Sequence, residues 1–209
     1  MKFIGITGGI GAGKSQVLSF LKEHYKCEIL LADEVAHIVK KPGTECYQKL
    51  VAVLGEEVLE PSADGRFVIG NPISKAKMAE KIFGSELLLK EVNAIVHPAV
   101  KDYILEQVRA ASEKNEVELF FLEAALLIEN GYQALVDEMW YVYADRDTRI
   151  QRLMESRGYS TEKAESIIAK QLSDKDYRDN SDFMIDNSGE FAFTCQQIRT
   201  KLEGYVWLA

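Results

Sequence analysis

The chain has 209 residues, of which 47% are hydrophobic and 28% are charged, and its formal net charge is −8. This length is sufficient for a substantial core, and the composition is that of an ordinary globular protein. The acidic balance argues against a protein that binds duplex nucleic acid, because such proteins normally have a basic face. It does not exclude an anionic small molecule, which a few local Lys and Arg residues can bind.

The cysteines and the apolar segments bear on the cellular compartment. Cys27, Cys46 and Cys195 are scattered and lack metal-ligand spacing, so we expect buried, reduced thiols. The chain begins on a predicted strand without a signal-peptide pattern, and it has no apolar segment long enough to span a membrane. We therefore expect a cytoplasmic protein without membrane partners. We also expect a monomer or weak homo-oligomer that has no nucleic-acid partner.

A glycine-rich loop lies between a predicted strand and a predicted helix near the N-terminus. Residues 3–7 are typical of a short buried strand, and residues 8–15 match the phosphate-binding P-loop pattern G-x-x-x-x-G-K-[ST]. Backbone N–H groups in such a loop bind phosphate oxygens, and the dipole of the following helix adds positive potential. Lys14 is expected to reach the outer phosphates, and the Ser15 hydroxyl is expected to ligate Mg²⁺. The motif indicates nucleotide binding and leaves the reaction open.

Alternating elements along the rest of the chain indicate the fold class. Further strands are predicted at residues 27–31, 119–122, 140–143 and 183–185, with helical periods between them. This alternation predicts an α/β protein with a mainly parallel five-stranded sheet. Residues 42–115 are too long for a simple crossover, so we predict a helical insertion that clasps a second substrate. Residues 147–178 are helical, charged and rich in Arg, Lys and Asp.

Carboxylates follow three of the predicted strands. In an open parallel sheet, ligands bind at the carboxyl ends of the strands, where Asp33, Glu123 and Asp145 are expected. Glu123 is a candidate second ligand of Mg²⁺, because P-loop proteins commonly hold a metal-side acid there. Asp33 has two interpretations that the local sequence leaves open. It is either a helix N-cap or a carboxylate that accepts the proton of an attacking hydroxyl.

Two further clusters each allow a structural and a functional interpretation. His97 and Pro98 are predicted to open a helix, because Pro is favoured in the first turn. His97 there either caps or packs the helix, or contacts an anionic substrate. Arg149 and Arg152 lie three residues apart on one predicted helix face. They form either a solvated face or a clamp on a transferred phosphoryl group, carried by a lid that excludes water.

Several short segments together form a specific combination, although none would suffice alone. They are residues 6–15, Ala32-Asp33 with Ala36-His37, Lys41-Pro42-Gly43, Ile95-Val96-His97-Pro98, residues 126–131, Arg152-Leu153, Gln171 and Ile185-Asp186-Asn187. In this order the segments resemble the dephospho-coenzyme A kinase family, and the resemblance covers essentially the whole chain.

The resemblance implies both an architecture and a reaction. The implied fold is that of P-loop nucleoside triphosphate hydrolases, with a core at residues 1–41, 116–146 and 179–209. Residues 42–115 would form a helical domain that binds the CoA acceptor, and residues 147–178 a helical lid. The implied reaction transfers phosphate from ATP, with Mg²⁺, to the ribose 3′-hydroxyl of dephospho-CoA. It gives CoA and ADP and is the final step of CoA synthesis.

The resemblance also implies roles for individual residues. The catalytic residues would be Asp33, Lys14 and Arg152. The nucleotide would be bound by Gly9, Gly11, Ala12, Gly13, Lys14, Ser15, Gln16 and Arg149. The acceptor would be bound by His97, Leu126, Leu127, Glu129 and Gly131. The chain departs from the family pattern at Leu31, Gln16, Ala125, Ile128, Ile167, Asp174 and Tyr177. These changes leave the P-loop and Asp33 intact but reduce the charge of the lid, so we hypothesise a weaker affinity for ATP.

Other functions remain compatible with parts of this pattern. A different small-molecule P-loop kinase, acting on a nucleoside or nucleotide, would share the core and the lid. A GTPase-type switch would need the guanine signature N-K-x-D, which the sequence lacks. A nucleotide sensor without catalytic activity is the third alternative.

Overall fold

A five-stranded sheet forms the centre of the computed structural model, which describes residues 1–205. The strands are β1 (Lys2–Thr7), β2 (Cys27–Leu31), β3 (Leu119–Glu123), β4 (Glu138–Tyr143) and β5 (Phe183–Asp186). Their order across the sheet is β2-β3-β1-β4-β5, and β1 pairs in parallel with both β3 and β4. The predicted parallel sheet of an α/β fold is therefore confirmed.

The position of β1 between two apolar strands determines where the P-loop lies. The first four residues of β3 are buried, as are the middle four of β4, which is expected for strands covered on both faces. Ile6 of β1 is in register with Glu123 of β3 and with Trp140 of β4. The loop that follows β1 therefore leaves the middle of the sheet at its carboxyl edge, beside the end of β3.

Nine helices accompany the sheet within residues 1–205. They are α1 (Lys14–His24), α2 (Ala32–Ile38), α3 (Glu45–Leu54), α4 (Lys75–Ile82), α5 (Glu86–Lys114), α6 (Arg146–Arg157), α7 (Thr161–Ile168), α8 (Asp174–Asp179) and α9 (Phe191–Glu203). Among the described residues, no helix combines the length and the apolarity that crossing a membrane requires.

The beginning of α2 decides between two interpretations of Asp33. Leu31, in an extended conformation, is the N-cap, and the helix starts at Ala32. Asp33 therefore lies inside the first turn, and the N-cap interpretation is wrong. A carboxylate in the first turn still interacts favourably with the helix dipole.

The prediction that His97 and Pro98 open a helix is also wrong. Both lie inside α5, which runs without interruption through Pro98. Val92 and Val100 are buried on either side, so the packed face continues past the proline. Pro98 itself is exposed, and the carbonyl that loses its intrahelical donor is able to bond to water instead.

The chain divides into two compact units. One consists of residues 1–30 and the chain from residue 111 on, and the other of residues 31–110. In the second unit, Tyr47, Val51 and Leu59 form a buried cluster against which Ile73 packs. The division into core, acceptor domain and lid stays a prediction, and the end of that core, residues 206–209, lies outside the described residues.

Glu138, at the start of β4, is the centre of a polar cluster. Its carboxylate accepts hydrogen bonds from Trp140 Nε1 at 3.1 Å and from the Tyr205 hydroxyl at 2.5 Å. The ammonium groups of Lys2 and Lys201 each lie 3.1 Å from it. Burial alone would raise the pKa of Glu138, but these four partners outweigh it and lower the pKa to about 2. The ionised carboxylate therefore stabilises the fold.

Glu138→Gln should lower the free energy of unfolding at pH 7 by about 2 kcal/mol. The folded-state pKa lies below the ordinary value of 4.5, so the stabilisation is complete above that value and is lost as the pH falls towards 2. Denaturant unfolding at pH 7, 5 and 3 should show the difference from the unsubstituted protein shrinking with pH. Glu116→Gln, at an exposed acid, serves as the control. A difference independent of pH would contradict this account of Glu138.

Candidate active site

The loop after β1 requires glycine at two positions, because other side chains lie too close to its backbone there to leave room for a Cβ atom. A Cβ atom at Gly9 would overlap the guanidinium of Arg149, and one at Gly13 would overlap the side-chain amide of Asn187. Gly13 also has φ of 91° and is the N-cap of α1, in the left-handed region that disfavours other residues. The Ala12 N–H closes the loop on the Gly9 carbonyl at 3.2 Å.

Backbone donors of this loop remain available for an anion. The N–H groups of Gly11, Gly13 and Ser15 donate to no protein acceptor within residues 1–205. They lie at the N-terminus of α1, where the helix dipole favours negative charge. Unused N–H groups at such a terminus form an anion-binding site.

Lys14 and Glu123 lie side by side at this loop. The Lys14 ammonium donates to the Gly8 carbonyl at 2.8 Å and lies 3.5 Å from Glu123 Oε1. Both side chains are mostly buried, with 13% and 17% of their surfaces exposed. The predicted phosphate-binding lysine and the predicted metal-side acid are thus brought together.

Ser15 and Glu123 could supply some of the oxygen ligands of a Mg²⁺ ion. No group of three or more His, Cys, Asp and Glu side chains in residues 1–205 is placed to hold a metal ion. Mg²⁺ usually keeps several waters and binds one or two carboxylates together with substrate phosphates, so a dense protein cluster is not required. Ser15 is exposed in the first turn of α1, and Glu123 lies beside Lys14. A hydroxyl and a carboxylate are the oxygen ligands that such a site needs.

Arg149 is buried against the P-loop rather than solvated. Only 5% of the residue is exposed, and its Nε donates to the Ile10 carbonyl at 2.9 Å. Its Nη2 donates to Gln171 Oε1 at 2.6 Å, and the same oxygen accepts from the Ile10 N–H at 3.0 Å. The interpretation of this arginine as part of a solvated face is therefore wrong. Arg149 and Gln171 together fix the position of Ile10.

Arg152 reaches the next part of the same loop. Its Nη2 donates to the Asn187 carbonyl at 2.8 Å, whereas its Nη1 makes only long contacts, 3.4 Å to the Gly11 carbonyl and 3.3 Å to the Ala12 carbonyl. Long hydrogen bonds of this kind are weak. The half-buried guanidinium is consequently held near the loop with one side only loosely bound.

Asn187, just after β5, supports the loop from the interior. It is fully buried; its Nδ2 donates to the Ala12 carbonyl at 2.8 Å, and its Oδ1 accepts from the Thr194 hydroxyl at 2.8 Å. Neither Asn187 nor Gln171 received a role from the sequence, although both belong to the segments that carry the family resemblance. Their residue type could have indicated the role, because an amide side chain can both donate to the carbonyl groups of a P-loop and accept from its N–H groups.

Comparison with known proteins identifies the family. The family model of dephospho-CoA kinase matches residues 2–192. The chain belongs to the dephospho-CoA kinase family. It is 33% identical to the dephospho-CoA kinase of Carboxydothermus hydrogenoformans, over 99% of this chain and 96% of that protein. It is 35% identical to the dephospho-CoA kinase of Geobacter sulfurreducens, over 99% of this chain and 98% of that protein.

Solved structures confirm the fold class. The dephospho-CoA kinase from Campylobacter jejuni superposes with a TM-score of 0.67 at 21% identity, covering 96% of this chain and 95% of that one. A shikimate kinase from Acinetobacter baumannii superposes with a TM-score of 0.52 at 15% identity, covering 99% of this chain and 96% of the other. The fold is therefore that of the P-loop kinases.

Two departures from the dephospho-CoA kinase pattern, Asp174 and Tyr177, both contact Tyr141. Tyr177 is fully buried, and its ring stacks on Tyr141 with centroids 4.7 Å apart and an interplanar angle of 9°. The Tyr141 hydroxyl donates to Asp174 Oδ1 at 2.9 Å. Burial raises the pKa of Tyr177 to about 12, so this side chain is neutral at physiological pH. Tyr177 and Asp174 thus join α8 to the face of β4.

The segment at residues 126–131 forms consecutive turns after β3. Leu127 is fully buried, and its Cδ1 would lie 3.4 Å from a Cβ at Gly5, so it packs in the core and has no surface to offer a substrate. Its assignment to the acceptor site is corrected accordingly. Leu126, by contrast, is 52% exposed, Glu129 is exposed, and Gly131 adopts φ of 69°. The acceptor roles of these three residues stay predictions.

Asp33 and His97 lie in the unit formed by residues 31–110. Asp33 is exposed on α2 and forms no salt bridge within the described residues. Its carboxylate is therefore accessible as a hydrogen-bond acceptor. His97 is exposed in the middle of α5, so no helix N-terminus assists it in binding an anion.

Proposed function

We propose that this protein transfers the γ-phosphoryl group of ATP to the 3′-hydroxyl of the ribose of dephospho-CoA, giving CoA and ADP. The observation that carries the proposal is the match of residues 2–192 to the dephospho-CoA kinase family. We propose further that the enzyme acts in the cytoplasm, as a monomer or weak homo-oligomer, without nucleic acid.

The P-loop is proposed to bind the phosphates of ATP. The N–H groups of Gly11, Gly13 and Ser15 would donate to phosphate oxygens, with Gly9, Ala12 and Gln16 completing the loop. Lys14 would exchange its contact with the Gly8 carbonyl for the outer phosphates. Ser15 and Glu123 would hold Mg²⁺, and the bound ion would help to neutralise the negative charge of the phosphates.

Asp33 is proposed to orient the acceptor hydroxyl. The hydroxyl oxygen bonds to the γ-phosphorus, the bond from that phosphorus to the bridging oxygen breaks, and ADP leaves with the electron pair. In the loose transition state of phosphoryl transfer, there is little covalent chemistry for the protein to do. The carboxylate of Asp33 would therefore mainly position the hydroxyl, and would take its proton as the new bond forms.

Arg152 is proposed to stabilise the transferred group. Its loosely bound Nη1 would turn from the loop carbonyls to the equatorial oxygens, where a guanidinium binds with two parallel hydrogen bonds. Arg149 and Gln171 would keep the predicted lid, residues 147–178, anchored to the loop, and the lid would exclude water from the transfer. His97, Leu126, Glu129 and Gly131 would contact the acceptor.

An acceptor panel tests the proposed function. Dephospho-CoA, adenosine, a nucleoside monophosphate and shikimate would each be offered with ATP and Mg²⁺, and ADP release would be measured. The proposal expects kcat/KM for dephospho-CoA to exceed that for every other acceptor by at least about 10³-fold, because binding energy from the remote part of the substrate is used in the transition state. A preference for another acceptor would favour a different kinase.

A further inference from the structure

A cavity of about 320 Å³ lies within the unit formed by residues 31–110. Its lining includes three lysines, Lys40, Lys41 and Lys75, together with the apolar residues Pro72, Ile73 and Met78. The chain as a whole has a net charge of −8. Three lysines at one cavity of an acidic protein are a local concentration of positive charge that the overall composition does not explain.

The three lysines that line the cavity form no salt bridge within residues 1–205. Lys40 is half-buried; burial lowers the pKa of its ammonium, and nearby Lys75 lowers it further, against an opposing effect of Cys46. Two ammonium groups thus repel each other at a partly desolvated site. A bound anion would relieve that repulsion.

The cavity begins one helical turn from the proposed catalytic carboxylate. Asp33 and His37 are four residues apart on α2, and His37 lines the cavity. Residues at this spacing share a helix face, with Cβ atoms about 6 Å apart. Both belong to the same compact unit. A substrate whose hydroxyl meets Asp33 therefore has its neighbouring groups within reach of the cavity.

The chemistry of the acceptor matches the two kinds of residue that line the cavity. This step rests on the proposed function. The ribose of dephospho-CoA carries a diphosphate at its 5′ carbon, and the diphosphate leads into the pantetheine arm. The first carbon of this arm is a methylene, and the second bears two methyl groups. Lys40 and Lys75 suit the diphosphate, and Ile73 and Met78 suit the dimethyl carbon.

We infer that this cavity binds the 5′-diphosphate of dephospho-CoA through Lys40 and Lys75, with Ile73 and Met78 against the start of the pantetheine arm. The site selects an acceptor that carries a diphosphate next to an apolar arm. A free nucleoside lacks both groups and would lose both contacts.

Titration calorimetry without ATP tests this inference. Dephospho-CoA and, separately, ADP would be titrated into the unsubstituted protein and into the double variant Lys40→Gln with Lys75→Gln. The control is Lys49→Gln, which removes one exposed charge of the same unit that is paired with Glu45 outside the cavity. The double variant should bind dephospho-CoA at least about tenfold more weakly, because two charge-assisted hydrogen bonds are lost. The control should bind it unchanged, and the affinity for ADP should be unchanged in both.

The outcomes separate this inference from the proposed function. Equal affinities of the double variant and the control for dephospho-CoA would overturn the inference, as would the absence of binding to the unsubstituted protein. An equal loss of affinity for ADP would assign the cavity to the nucleotide and would also overturn it. CoA formation by the unsubstituted protein reports on the proposed function alone. Thermal unfolding of each variant would identify any loss of folded protein.

Discussion

Asp33→Asn should reduce kcat for CoA formation by roughly 10²- to 10⁴-fold while leaving the affinity for ATP within about twofold of its original value. The amide keeps the shape of the side chain but cannot accept the proton of the 3′-hydroxyl. Asp33 is exposed and forms no salt bridge in the described residues, so the substitution should leave the fold unchanged. Steady-state kinetics with both substrates varied would measure the effect on kcat separately from the effect on the KM for ATP.

Glu34→Gln provides the matched control for Asp33. Glu34 is the next residue in the first turn of α2 and is also exposed. Its substitution removes the same charge from the same helix terminus, so an effect through the helix dipole alone would be equal in the two variants. Equal turnover of Asp33→Asn and Glu34→Gln would contradict the catalytic role of Asp33.

Arg152→Ala should lower kcat by roughly 10³-fold or more, because an arginine that stabilises the charge of a transferred phosphoryl group typically contributes that much. Arg152→Lys should recover only part of the loss, since an ammonium cannot form the two parallel hydrogen bonds of a guanidinium. Arg157→Ala, at an exposed arginine in the last turn of α6, is the control. If Arg152→Ala and Arg157→Ala retained similar turnover, Arg152 would have no role at the transferred group.

The sheet was predictable because its strands have a clear local signature. Strand β3 is an almost uninterrupted apolar run, and β2 has the predicted bounds at Cys27 and Leu31. The P-loop was predictable because its glycines are required by close approaches and by φ, as at Gly13. The order of the strands did not follow from the sequence, because pairing between distant segments leaves no periodic pattern in either of them.

The failures came from local rules that the wider structure overrides. A proline usually opens a helix, but Pro98 lies on the exposed side of α5, where the lost hydrogen bond costs little. An Asp after a strand usually caps a helix, but α2 already begins at Ala32. Leu127 was grouped with its exposed neighbours, although the turn directs it into the core.

The side chains that hold the P-loop, those of Gln171 and Asn187, could not be predicted because they lie far from the loop in sequence. Gln171 binds Ile10 across a separation of 161 residues, and Asn187 binds Ala12 across 175. No period or spacing in the sequence links such pairs. The same holds for the cavity beside α2, because its lining residues come from two separate segments, one near Lys40 and the other near Lys75.

The most direct test of the proposed function is the product formed from ATP, Mg²⁺ and dephospho-CoA. Mass spectrometry would identify the product, and phosphorus NMR would locate the new phosphate. The account predicts CoA, phosphorylated on the ribose 3′-hydroxyl and formed in equal amount with ADP, and no CoA when ATP is omitted. Release of ADP without CoA, or a phosphate at any other position, would contradict it.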